Sequence, residues 1–167
     1  RYGTLPFAGI ARAAFISTQI LKSLVDIDVL DKNEYNDFLR SLKTITSEMG
    51  DDLNKLVSSK MTKKNFLQKY GHLRPGTYDV NQPAYWENPA FYFTRSKQPH
   101  LEKDRSEFKF AFTKRELQEL QKVLEQLSVE LKLNDFIEYL SRAIQARESV
   151  KFDFTRNLSV ALGLMIN

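Results

Sequence analysis

TKRELQELQKVLEQLSVEL, residues 113–131, decides the fold class. Leu117, Leu120, Leu124, Leu127 and Leu131 recur at three- and four-residue spacing, which puts apolar side chains on one face of an α-helix. Thr113 followed by Glu116 is a capping box, in which the two side chains satisfy each other's free backbone N–H groups. Such a leucine seam serves a core or a partner helix, and within one domain it belongs to the core.

The same pattern extends outward. Asp31 with Glu34 is a second capping box, and Tyr35, Phe38, Leu39, Leu42, Ile45 and Met49 follow at helical spacing. Gly50-Asp51-Asp52 is expected to break or kink that helix, with Leu53, Leu56 and Val57 continuing beyond. Thr62 caps a short helix carrying Phe66, Leu67 and Tyr70, and Gly71 is expected in a left-handed C-terminal position. From about Pro6 to Val25 the polar residues fall on one narrow stripe, Arg12, Gln19, Lys22 and then Asp26. Almost everything else is apolar or small, so that helix is expected to be buried over most of its circumference. Pro6 suits its first turn. Asn134 is expected to cap the last helix, whose face runs through Phe136, Leu140, Ala143 and Ile144, then Phe154, Leu158, Leu162 and Met165. The expected fold is all-α: a helical bundle of about five helices with one long irregular loop.

That loop, residues 71–112, holds four of the five prolines, the single Trp86, and Tyr78, Tyr85, Phe91, Tyr92 and Phe93. It has no helical period. So many aromatic rings need something to pack on, and the loop is therefore expected to be ordered.

Composition sets limits. The chain has 167 residues with 25 basic and 21 acidic side chains, no cysteine and two histidines. Absence of cysteine excludes disulfide scaffolds, thiol nucleophiles and cysteine-ligated zinc or iron–sulfur sites. His72 and His100 are too few for a histidine-rich metal centre, and no metal ligand set is expected. Lys60, Lys63, Lys64, Lys69 and Arg74 form a basic run beside aromatic rings, the kind of surface that binds single strands. Phe66, Leu67 and Tyr70 interleave with those bases at core-facing spacing, so a solvated lysine face is preferred and nucleic acid is disfavoured. In the apolar opening, Arg12 interrupts a run that otherwise imitates a signal sequence, and no run of about 20 apolar residues is seen. The expectation is one helical domain, 1–167, excised from a larger cytoplasmic protein, with no membrane partner.

Two groups of residues depart from a plain bundle. Continuing the apolar face of the last helix from Ala143 and Ile144 lands on Arg147 and Lys151 before returning to Phe154. Charges on a core-facing stripe need partners. Asp79 in the loop and Glu148 alongside are candidates. A buried ion-pair network, a cationic site facing a ligand and an interdomain contact all remain open. The second group is KYGHLRPGTYDVNQPAYWENP, where His72, Arg74 and Asp79 fall within eight positions. Clustered ionisable groups of three types bind anions or move protons. No nucleophile–base pair and no Gly-rich phosphate cradle accompanies them, so no catalytic residue is assigned.

KYGHLRPGTYDV followed by PAYWENP resembles a segment of the multidomain relatives of phosphoenolpyruvate synthase and pyruvate phosphate dikinase, including the rifampin phosphotransferases. In that family a G-H-R-type motif leads through an acidic residue to P-R-W/Y-x-E-x-P. Gly71, His72, Arg74, Asp79, Pro83, Tyr85, Glu87 and Pro89 match in kind and order. The flanking YGTLPFAGIARAAFI and RESVKFDFTRNLS are also similar to that group. Ala84 stands where the pattern has Arg, and Thr77 near where an acid is common. The resemblance implies a helical region between an ATP-grasp domain and a phosphohistidine domain of the same parent chain, neither of which has its motifs here. ATP and magnesium would belong to the parent, with no cofactor in this region. By the same resemblance His72, Arg74 and Asp79 would shape a loop facing Arg147, Glu148, Lys151 and Arg156. Their charge would receive an anionic small-molecule acceptor or dock the travelling phosphohistidine. The competing expectation is a structural or interaction module whose charges are satisfied internally.

Overall fold

Capping chemistry and apolar periodicity together produce seven helices and no strand among the described residues, which in this computed structural model are 3–75, 81–93 and 109–166. They are α1 (Thr4–Asp26), α2 (Lys32–Ser41), α3 (Ile45–Val57), α4 (Lys63–Tyr70), the one-turn α5 (Pro89–Tyr92), α6 (Lys114–Gln126) and α7 (Leu133–Ile166). The fold is all-α. The contacts gather into two compact units, residues 1–44 with 106–150 and residues 45–105 with 151–167.

The first unit is held by hydrocarbon. Leu21 and Leu24 of α1, Val29, Leu30, Phe38 of α2, Leu42, Leu120 and Leu124 of α6, and Phe136 and Leu140 of α7 form one buried cluster. Phe110 meets the Phe38 ring edge-on at 5.7 Å, so the chain entering α6 is packed before its helix begins. Both capping boxes form as expected: Asp31 accepts from the N–H groups of Asn33 and Glu34, and Thr113 from that of Glu116, while each Glu side chain accepts in return. Asp28 closes the α1–α2 turn in the left-handed region at φ 58°, and the N–H groups of Val29 and Leu30 return to the Leu24 carbonyl. Asp tolerates that conformation better than most residues.

α1 is less covered than its composition predicted. Only Ala14, Ser17, Leu21 and Leu24 are buried, while Leu5 and Phe15 are 73% and 61% exposed. The apolar surface of α1 is wider than the cluster it joins. By length and composition alone α1 also passes as a helix able to cross a bilayer, with a mean hydropathy of 1.2 over 18 residues. Its buried side chains are committed to the protein core.

The second unit contains α3, α4, α5 and the part of α7 from Lys151 onward. Phe66, Tyr70 and Ala84 are fully buried, and with them lie the polar side chains of Asp52 and His72. The rings form a chain of contacts: Phe66 to Phe93 at 5.5 Å, Phe66 to Tyr70 at 4.9 Å and Tyr70 to Phe152 at 5.9 Å.

Three local expectations are corrected. The helix break falls at residues 42–44, and Gly50-Asp51-Asp52 lies inside α3. Leu42 is extended at ψ 126°, and the Ser41 hydroxyl donates to the Phe38 carbonyl, a local bond that competes with helix continuation. Asp52 keeps its helical place because partners on two helices hold it. Gly71 is right-handed, at φ −59° and ψ −27°. Space makes it glycine: a Cβ there would overlap the Leu67 carbonyl oxygen and lie 3.0 Å from Trp86 Cβ. Finally, α7 begins at Leu133, with the Phe136 N–H bonded to the Lys132 carbonyl, so Asn134 sits within the first turn and is not the cap.

Candidate functional site

Asp52 is the polar centre of the second unit. Its carboxylate is 3% exposed and accepts from Lys55 Nζ at 2.7 Å, Lys69 Nζ at 2.8 Å and the Tyr70 hydroxyl at 2.9 Å. Lys55 lies one turn along α3, whereas Lys69 and Tyr70 come from α4, so one buried carboxylate ties the two helices. Burial pushes its pKa up, but the three donors outweigh burial and hold it at about 2. Burial and the adjacent carboxylate push the Tyr70 hydroxyl up to about 12. Lys69 is held charged: Asp52 and Glu48, the latter at 2.7 Å, outweigh its partial burial.

Beyond α4 the chain folds into a clasp. The Trp86 N–H donates to the Gly71 carbonyl and the Tyr85 N–H to the Leu73 carbonyl, both at 3.0 Å. Arg74, with a side chain only 7% exposed, closes it. One guanidinium nitrogen donates to the Gln82 carbonyl at 2.6 Å and another to Glu87 Oε1 at 3.2 Å. The other Glu87 oxygen accepts the Ala84 N–H at 2.7 Å. Ala84, within this turn, is fully buried. The Tyr92 hydroxyl donates to the Pro83 carbonyl at 2.7 Å, anchoring α5 to the same turn.

His72 lies between the two backbone bonds of the clasp. It is 2% exposed, its ring 4.6 Å from Phe152 on α7 and 6.1 Å from Trp86. Neither ring nitrogen has a hydrogen-bond partner among the described residues. Burial, then the Arg156 charge, push its pKa below 6.5; the Phe152 backbone and Asp153 act the other way and are outweighed. Arg156 donates to the Lys69 carbonyl at 3.0 Å and stacks over Phe152 at 5.3 Å. α4, the clasp and α7 therefore meet around a neutral imidazole beside a guanidinium.

The sequence-derived candidates distribute unevenly. His72, Arg74 and Arg156 belong to this one cluster. Lys151 is half-buried in the same unit and has no ion pair among the described residues. Arg147 and Glu148 belong to the first unit. There the Arg147 guanidinium stacks over the Phe15 ring at 4.9 Å, and Glu148 is 3.7 Å away. Arg147 is thus a half-buried cation with an aromatic partner. Asp79, proposed as its counter-ion, lies outside the described residues, as do Thr77, Tyr78, Pro99 and His100. Loop order, expected over 71–112, is seen over 81–93; 76–80 and 94–108 are outside the described residues. No group of three or more His, Asp or Glu side chains suited to a metal ion occurs among the described residues.

Sequence reasoning missed Asp52, Lys69 and Tyr70. Asp52 reads as a helix breaker beside Gly50, and only its three-residue spacing to Lys55 hinted at a pair. No family model, curated protein or solved structure matches the chain.

Proposed function

We propose that the chain is the central helical region of a phosphoenolpyruvate synthase- or pyruvate phosphate dikinase-like phosphotransferase. It lies between ATP-grasp and phosphohistidine domains, where it contributes to acceptor binding or to docking of the mobile domain. It does not transfer phosphate alone; ATP and magnesium are handled by the parent. The observation that supports this reading is the clasp. Gly71, His72, Arg74 and Glu87, residues that carry the family resemblance, act together in one folded segment. His72 of that segment packs on Phe152 and lies in the field of Arg156, both in the flanking stretch that also resembles the family. A short motif shared across a family in this way has a physical reason to stay together. Arg156 supplies fixed positive charge for an anionic acceptor or a phosphohistidine. His72 and Arg74 hold the loop beside it.

A second reading, a structural or interaction module, is favoured by one observation. Arg74 and Asp52 both find their counter-charges inside the unit. Phosphoryl transfer by the parent protein separates the two. Arg147→Ala, Lys151→Ala and Arg156→Ala are expected to keep the helical signal and to lower transfer at least about tenfold. Variants that unfold favour the structural module, and variants with full activity exclude the acceptor or docking role. The 167-residue chain by itself is expected to hydrolyse no ATP, and turnover would contradict the reading. An ATP-grasp domain encoded upstream and a Gly-Gly…Thr/Ser-His motif downstream are the further expectation.

A further inference from the structure

A buried imidazole with no acceptor for a second N–H has one charge state it can occupy in place. His72 is held between the paired backbone bonds of the clasp, its ring in a T-shaped contact with Phe152 and its neighbour Trp86 across the turn. A protonated imidazole carries two N–H donors. Among the described residues neither nitrogen has a partner within hydrogen-bond geometry. The Phe152 backbone, which favours the charged ring, can serve only one of the two N–H groups; the second would stand unpaired, with the Arg156 guanidinium acting against it. Burying an unpaired charge is costly enough that the group leaves or the surroundings open.

We propose that His72 is an acid-sensitive pin: protonating its ring releases the clasp formed by residues 71–75 and 81–93 from α7 while the helices stay folded. The charged groups acting on the ring are Arg156 and Asp153, both from α7, and Arg156 has the larger effect. From α4, Lys69 and Tyr70 are engaged by Asp52; from the clasp itself, Arg74 is engaged by Glu87. The Asp52 pairs keep α3 and α4 together when the pin is lost, so the response is local.

The sign follows from linkage. The ring's pKa is lowered in the closed state, below the 6.5 of a solvated histidine. Above 6.5 the ring is neutral whether the clasp is seated or released, and the closed state is fully stable. As the pH falls below 6.5 the released state takes up a proton that the closed state resists. The released population then grows by up to about tenfold per pH unit.

Trp86 is the single tryptophan of the chain, so its emission reports on the clasp alone. Emission of the 167-residue chain, helical circular dichroism and imidazole ¹⁵N shifts are recorded together from pH 7.5 to 5. The expected result is a Trp86 transition of one-proton steepness, with the His72 shifts following the same midpoint below 6.5 and the helical signal unchanged. His100→Gln keeps the transition and assigns the histidine signals; His72→Phe removes it. If His72→Phe does not fold, the coincidence of Trp86 and His72 midpoints in the unsubstituted chain decides alone. A transition that survives His72→Phe, a His72 titration without a Trp86 change, silence of both down to pH 5, or loss of helix alongside overturns the proposal.

Discussion

The two units reach stability by different means. The first buries Leu21, Leu24, Phe38, Leu120, Leu124, Phe136 and Leu140 against one another, with capping boxes at the starts of α2 and α6. The second places a carboxylate and an imidazole in its interior and fastens a long loop with an arginine–carboxylate fork. Hydrocarbon burial is indifferent to pH and adapts by small shifts. A buried polar network holds one geometry and fails when a partner changes its proton count. The function proposed above falls on the second kind of unit, where the loop is placed by directional bonds.

Substitutions sharpen that contrast. Leu140→Ala, at a side chain with no exposure, is expected to cost about 2–5 kcal/mol in urea or thermal unfolding, equally at pH 7 and pH 5. A loss that depends on pH would break the comparison. Asp52→Asn is expected to cost about 1–3 kcal/mol at pH 7, because the buried Tyr70 hydroxyl and Lys69 lose an ionised acceptor. Asp52 has a folded pKa of about 2, below its ordinary 3.8. Its contribution is therefore full above 3.8 and disappears as the pH falls through about 2. Urea unfolding at pH 5 and pH 2 checks this: the gap between wild type and Asp52→Asn is expected to close at the lower pH. Smallest is Thr113→Ala at the cap of α6, expected to cost about 1 kcal/mol by thermal unfolding, with the Trp86 emission unchanged. A change at Trp86 would mean that the cap acts beyond its own unit.

Legibility in the sequence divides along the same line. The capping boxes at Asp31–Glu34 and Thr113–Glu116 and the leucine face of α6 were readable, because their partners lie within one turn. The break at residues 42–44 was not. Gly50-Asp51-Asp52 looks like a stop signal until Lys69 and Tyr70, seventeen and eighteen residues on, arrive to hold Asp52. Gly71 was noticed for the wrong reason: the Leu67 carbonyl and the close approach of Trp86 leave no room for a Cβ, and the Trp86 approach depends on the whole turn. His72 and Arg74 stood out as a cluster, yet Arg74 proved to be the bolt of a clasp through Glu87, thirteen residues away. Pairings across an aperiodic loop carry no spacing rule, so their residues can be singled out while their partners cannot.

The most direct test of the account is amide hydrogen exchange on the 167-residue chain at pH 7.5 and pH 5.5, corrected for intrinsic rates. Protection of Trp86 and Tyr85, whose N–H groups close the clasp, is expected to fall at pH 5.5, while that of Leu120 and Leu124 in α6 stays unchanged. Equal protection of the clasp at both pH values, or a parallel loss in α6, would contradict it.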